Sequence, residues 1–177
     1  TIVSCGASIG TVPSGKSGKE ALRNIPTSIK ELKPNVMLSV PTLAKSFKKT
    51  IEGGVKAKGK FVEWMYNTAL TNAIKYNKEG YNKGTGGTFW RKPFVALFDK
   101  LVFKSVREGL GGAMRFFVGG GALLDIDLQR YYYAIGIPMF QGYGLSEATP
   151  IISANSIERH ILGSSGCVVK PMEIKIL

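Results

Sequence analysis

Residues Met114 to Pro150 constrain the fold more than any other stretch; they read MRFFVGGGALLDIDLQRYYYAIGIPMFQGYGLSEATP. Met114 to Val118 is an apolar, β-type run that ends in three glycines. Leu124, Leu128, Tyr131, Tyr132 and Ile135 then recur at helical spacing. Asp125 and Asp127 stand at the start of that helix, and Gly136 stands where its end wants a left-handed residue. Ile137 to Phe140 is a second short apolar run, followed by the loop QGYGLSE. The pattern is strand, helix, strand, with a glycine loop after each strand. Parallel strands need a crossover of this kind, and in an open parallel sheet both loops fall at one edge, where ligands bind.

The residue types in those loops suit a nucleotide. Gly119, Gly120 and Gly121 expose backbone, so a flat ring or a phosphate can come close. Tyr143 sits between two glycines, which leaves its ring face free to stack. The Ser146 hydroxyl can bond a phosphate oxygen, and Glu147 offers the hard carboxylate oxygen that Mg²⁺ prefers. The same residues also suit plain turns and ordinary packing, so on composition alone both readings stand.

The rest of the chain predicts further elements. Ile2 to Ile9 is a strand interrupted at Gly6. Gly10 to Ser17, GTVPSGKS, satisfies the phosphate-cradling pattern G-x-x-x-x-G-K-[ST]. A P-loop follows a buried strand and opens a long helix; here the strand is polar and Pro26 arrives within about two turns. Pro26 can open a short helix through Lys33, with Ile29 and Leu32 inward. Val36 to Val40 is a short buried strand, and Pro41-Thr42 begins a helix with Leu43, Phe47 and Ile51. Gly53-Gly54 is expected to end that helix. Val62, Met65, Ala69, Ala73 and Tyr76 mark the core face of the next. Glu79 to Gly87 is a loop. Trp90, Phe94, Leu97, Leu101 and Val102 belong to a helix that runs to about Glu108. After Pro150 the chain turns to β-type and loop segments.

Composition narrows the classes. A hydrophobic content of 44% and a mean hydropathy of +0.05 fit a globular protein with a core. No apolar run approaches the roughly 20 residues of a membrane-spanning helix, and the start does not read as a signal peptide. Both ends read as cuts within β-type runs. Cys5 and Cys167 offer no metal or redox spacing and read as free thiols of a reducing cytosol. The single His160 excludes a multi-histidine metal site, and no Gly-x-Ser-x-Gly elbow accompanies it, so it reads as a surface or loop residue. The net charge of +12 gathers between Lys16 and Lys60, away from the glycine loops. That surplus suits anionic lipid, the phosphates of CoA, nucleic acid, or a solvated lysine surface. Nothing resembles an RNA- or DNA-binding motif.

FFVGGGALL, a helix, then GIPMFQGYGLSEATP resembles the adenylate-forming (AMP-binding) ligases, specifically the long-chain fatty acyl-CoA synthetases. That family usually has Ser-Gly-Gly-Ala-Pro-Leu at Gly119 to Leu124 and Tyr-Gly-Leu-Thr-Glu at Tyr143 to Glu147. FDKLVFKSVREGLGG and GSSGCVVKPMEIKIL extend the likeness over nearly the whole chain, most weakly between Gly53 and Lys92. Thr42 stands where an arginine commonly follows the proline, Leu123 where a proline is common, and Met172 where a glycine is usual.

The resemblance implies an α/β fold, a mainly parallel sheet with helices on both faces, within the large N-terminal domain of such an enzyme. It implies ATP, Mg²⁺ and CoA as cofactor and co-substrates, a fatty acid as substrate, and a cytoplasmic protein, with peripheral contact to anionic membrane open to the basic surface. By position, Gly120, Gly121, Ala122 and Leu123 would line the adenine and acyl pocket. Gly142, Tyr143, Gly144 and Leu145 would shape the adenine cleft, Ser146 would bond the α-phosphate and Glu147 would hold Mg²⁺. Ser146 and Glu147 are thus the catalytic candidates. Residues 1–177 are expected to be one piece of that domain, without an upstream triphosphate loop or a C-terminal domain, and inactive alone. Two other readings stay open: a P-loop nucleotide hydrolase using Gly10–Ser17, and a basic non-enzymatic module that binds a polyanion such as RNA, or a membrane.

Overall fold

The computed structural model describes residues 6–13, 18–148 and 150–175, with backbone alone for 18–23. Residues 1–5, which hold most of the expected first strand together with Cys5, lie outside them; so do Ser14 to Ser17, the second half of the P-loop match, with Lys16. Gly6 to Ile9 carry no strand.

Five strands form one sheet in the order β1 to β5: Val36–Ser39, Phe116–Gly119, Met139–Gly144, Ile151–Ala154 and Cys167–Val168. β1, β2 and β3 run parallel, in register Met37↔Phe117 and Phe117↔Met139. β4 and β5 add antiparallel strands beyond β3. The fold is therefore α/β, with parallel strands through its centre. The crossover from β1 to β2 carries helices α1 to α5 less the first: α2 (Pro41–Ala57), α3 (Lys60–Asn77), α4 (Lys92–Phe98) and α5 (Lys104–Gly109), while α1 (Gly18–Leu32) precedes β1. The crossover from β2 to β3 is α6 (Ile126–Ala134).

Two breaks expected from sequence are absent. α1 runs straight through Pro26. An interior proline costs about 3 kcal/mol, but Pro26 lies on the exposed side while Ile25 and Ile29 are buried, and each buried isoleucine returns roughly 1.5–3 kcal/mol. α2 likewise continues through Gly53 and Gly54. Each glycine costs about 1 kcal/mol, against a continuous stripe of Phe47, Ile51 and Val55 that packs on the core. The break comes at Gly59, whose φ of +105° an L-residue rarely adopts.

The helical stretch from Phe89 to Gly109 is not uniform. A 3₁₀ turn (Phe89–Arg91) leads into α4, and a π segment (Asp99–Phe103) separates α4 from α5. Along this stretch Val102 and Phe103 are buried while Trp90, Phe94, Leu97 and Leu101 are exposed. Arg107 fixes this segment, donating to both carboxylate oxygens of Asp99 (2.6 and 2.8 Å) and to the Ile135 carbonyl (2.9 Å). Gly136 ends α6 at φ +82°, and a Cβ there would meet the Arg107 guanidinium at 2.8 Å.

The larger part of the core sits on the Phe117–Met139 face of the parallel strands. Phe117 and Met139 are wholly buried there. Phe47 of α2 and Tyr132 of α6 pack on Phe117, with ring centroids 6.5 and 5.2 Å away. The Tyr66 and Tyr131 hydroxyls meet at 2.8 Å, and Tyr132 donates to the Ala44 carbonyl at 2.7 Å. α2, α3 and α6 are thus joined to one another and to the sheet. Burial holds all three phenols well above their usual range, Tyr66 at about 12.

Candidate functional site

β2 and β3 place the two glycine motifs. They run parallel, and their last paired residues are Gly119 and Gln141. Gly120–Leu123 and Gly142–Glu147 therefore depart side by side from the β2–β3 pairing, at the C-terminal edge of the parallel strands. Ser39 pairs with Gly119, so the Val40-Pro41-Thr42 corner lies at the same edge.

The first loop is anchored at its ends and open between them. Gly119 and Leu124 are buried; Gly121, Ala122 and Leu123 are exposed, Leu123 by 82%. Gly121 has φ +77°, and a Cβ on Gly120 or Gly121 would meet nothing within 4 Å. The loop thus presents bare backbone to open space. Asp125 then caps α6, accepting from the Asp127 and Leu128 amides at 2.8 and 3.2 Å. Those backbone bonds, aided by Lys45 and Lys48, hold its carboxyl below the usual carboxylate range. Leu128, Tyr131, Tyr132 and Ile135 are all buried, as their spacing predicts.

The second motif differs in conformation from the sequence expectation. QGYG is strand, not loop. β3 pairs with β2 through Gln141, then swings to pair antiparallel with β4 from Gly142, with a register shift at Tyr143/Gly144. The glycines permit the swing: a Cβ on Gly144 would run into the Pro150 carbonyl. Tyr143 is 48% exposed, as is Leu145. Ser146 and Glu147 follow in an exposed 3₁₀ turn, Ser146–Ala148, closed by the Ala148 amide on the Leu145 carbonyl at 3.0 Å. Among the described residues no hydrogen bond or ion pair engages Ser146 or Glu147 side chains, so both face solvent unspent.

Every candidate from Gly120 to Leu123 and from Gly142 to Glu147 thus lies along one edge. What the edge offers is a donor hydroxyl, a carboxylate, an aromatic face and exposed peptide groups. A nucleotide base can stack and its phosphates can be bonded there. Among the described residues no group of three His, Cys, Asp or Glu could hold a metal ion. A divalent cation at Glu147 would therefore draw most of its ligands from phosphate and water, the habit of Mg²⁺. Two hollows lie away from Tyr143 to Glu147. One of about 360 Å³ lies between Lys45, Lys48, Lys49 and Asp125, Asp127; another of about 290 Å³ lies between α1, α2 and α5.

Sequence reasoning missed the polar side chains behind the edge. Gln129 and Gln141 are 1% and 7% exposed. The Leu124 amide donates to Gln141 Oε1 at 3.0 Å, and Gln129 Nε2 donates to the Leu124 carbonyl at 3.1 Å. The signal was a glutamine inside each apolar pattern, at MFQG and at LQRYYY. His160, read as a loop residue, is in the loop after β4, with its ring packed between Tyr133 and Phe140.

Comparison with known proteins adds four matches. The profile of the AMP-binding enzyme family matches residues 1–177. The long-chain-fatty-acid–CoA ligase FadD15 of Mycobacterium bovis is 29% identical over 155 residues, 88% of this chain and 25% of its own. Long-chain-fatty-acid–CoA ligase 1 of Saccharomyces cerevisiae is 27% identical over 177 residues, 97% of this chain and 24% of its own. The chain spans about a quarter of the length of these relatives. The anthranilate CoA ligase AuaEII, solved with anthranoyl-AMP, aligns with a TM-score of 0.44 at 15% identity over 84% of this chain and 19% of its own.

Proposed function

This chain belongs to the AMP-binding enzyme family, and we propose that it forms one wall of the nucleotide pocket in an enzyme that activates a fatty carboxylate with ATP and passes the acyl group to CoA. The observation that carries this reading is the pairing of Gly119 with Gln141. It sets bare loop backbone beside an exposed tyrosine, a hydroxyl and a carboxylate. Relatives named long-chain-fatty-acid–CoA ligases support the choice of substrate.

The reaction has two displacements. A carboxylate oxygen attacks the α-phosphorus of ATP; the bond to the β-phosphate oxygen breaks and pyrophosphate leaves. The CoA sulfur then attacks the acyl carbon of the adenylate, loses its proton, and AMP leaves. The protein's contribution is placement and charge. Tyr143 stacks on the base. Gly120, Gly121, Ala122 and Leu123 line the adenine and acyl sides, where absent Cβ atoms let the ligand approach the backbone. Gly142, Gly144 and Leu145 shape the cleft around Tyr143. Ser146 donates to the α-phosphate. Glu147 holds Mg²⁺, which supplies positive charge to the crowded phosphates when bound. The pocket's opposite wall comes from outside these 177 residues. The lysine-rich stretch from Lys16 to Lys60 supports peripheral contact with an anionic membrane surface.

The test is made on the full-length polypeptide that carries this chain. Glu147→Gln is expected to lower Mg²⁺-ATP-dependent acyl-CoA formation by about 100-fold or more, as for loss of one charged stabiliser; a change under about twofold sinks the metal role. Tyr143→Ala is expected to raise the KM for ATP more than the KM for the fatty acid. Equal effects would remove the stacking role.

A further inference from the structure

We propose that Gln129 and Gln141 are positioning residues that clasp the Gly119–Leu124 loop at Leu124 and couple it to the turn Gly163–Gly166. The proposal deepens the nucleotide reading above and rests on it.

Both polar groups of the Leu124 peptide are taken by these two side chains: the amide by Gln141 Oε1 and the carbonyl by Gln129 Nε2. The far ends of the same side chains reach one turn. Gln129 Oε1 accepts from the Gly163 amide at 3.1 Å, and Gln141 Nε2 donates to Ser165 Oγ at 3.4 Å. Two buried amides thus bridge the loop and the turn in parallel, each using one donor and one acceptor. A side chain this deep loses stability when its polar ends go unbonded, so both ends hold their partners.

The turn is itself fixed. Asn155 Nδ2 donates to the Gln141 carbonyl at 3.2 Å and to the Ser164 carbonyl at 2.6 Å, while its Oδ1 accepts from the Ile161 amide at 3.1 Å. A Cβ on Gly166 would run into the Ala154–Asn155 backbone. The outer part of the loop has no comparable support: among the described residues no side-chain hydrogen bond reaches Gly120 to Leu123. Its shape is therefore set from its two ends, Gly119 in the β2 ladder and Leu124 in the clasp. Gln141 also stands two residues before Tyr143 in β3. One residue holds the first motif by its side chain and carries the second by its backbone, so the two sides of the nucleotide edge keep their register. Leucine can replace neither function, and glutamate at 129 keeps the acceptor for Gly163 but loses the donor to Leu124.

The test uses the full-length polypeptide, with amide hydrogen exchange and steady-state kinetics on Gln129→Leu, Gln141→Leu and Gln129→Glu. Both leucine variants are expected to exchange faster in peptides covering 119–125 and 161–166, with α3 unchanged. Gln129→Glu is expected to loosen 119–125 and spare 161–166. The KM for ATP should rise about tenfold in each, as for a misplaced binding loop, with the KM for the fatty acid changed less than about twofold. Unchanged exchange in 119–125, or proportional changes in both KM values, overturns the proposal. Should a leucine variant fail to fold, Gln129→Glu carries the decision. Absence of ATP-dependent acyl transfer from the unsubstituted polypeptide counts against the nucleotide reading alone, because exchange still decides the clasp.

Discussion

At the scale of single residues, the glycines of the second motif have different reasons to be glycine. Gly144 has no room: a Cβ would strike the Pro150 carbonyl across the bulge. Gly142 is different, since a Cβ there would find its nearest neighbour at 3.7 Å, an ordinary contact, and its φ is not positive. Gly144→Ala is therefore expected to destabilise by about 1–3 kcal/mol, the usual cost of overpacking, and to displace Tyr143 by opening the β3–β4 pairing. Gly142→Ala is expected to change stability by less than about 0.5 kcal/mol, as for an uncrowded site. Urea unfolding midpoints of the two variants check the contrast. Equal losses would mean that the backbone approach at Gly144 is misjudged. The motif's spelling shows only that glycine recurs; which glycine is sterically required depends on where β4 lies, and no local pattern encodes that.

At the scale of elements, most of the order was legible. Periodicity locates α3 and α6, the two short apolar runs become β2 and β3, and the candidate site residues fall on one edge as a strand–helix–strand crossover dictates. What failed were the stops. Pro26 and the pair Gly53-Gly54 are local signals that tertiary burial overrides, because Ile25, Ile29 and Phe47 gain more from a continuous helix than the breakers cost. The swing of β3 toward β4 was hidden for a related reason: a glycine-rich strand looks like a loop until its partner is known. The glycine pair gives a direct check. Neither Gly53 nor Gly54 has positive φ, and a Cβ on either would meet nothing within 4 Å. Gly53→Ala and Gly54→Ala are each expected to stabilise by about 1 kcal/mol, the propensity difference. Thermal melts would show it. A loss at either position would mean that the helix is interrupted there after all.

At the scale of the whole molecule, the two faces of the parallel strands are unequally covered: on the Phe116–Val118 side Phe140 is buried, but cover thins toward β1. Leu38 on that side is 73% exposed and Val36 43%, while Phe117 and Met139 are wholly buried on the other. Parallel sheets are ordinarily covered on both sides, and the thin cover over Val36 and Leu38 leaves the Phe117–Met139 face as the better packed one. There the tyrosine cluster of α3 and α6 makes the fold sensitive to alkali. Tyr66, Tyr131 and Tyr132 keep their protons in the folded state beyond the pH at which free tyrosine ionises, chiefly because burial penalises the phenolate. An unfolded chain releases those protons near pH 10. Above that pH the unfolded state binds fewer protons than the folded one, so stability falls as pH rises. Tyr66's share is fully present below pH 10 and is lost on the way to its folded value of about 12. The urea midpoint is expected to drop as pH rises from about 10 to about 12, the window between the unfolded and folded Tyr66 values. Tyr66→Phe removes one titrating group and the bond to Tyr131. It is expected to lower the midpoint at pH 8, by about 1 kcal/mol for the lost hydrogen bond, yet to flatten the decline above pH 10. A Tyr66→Phe curve parallel to the unsubstituted one would place the alkaline sensitivity elsewhere than this cluster.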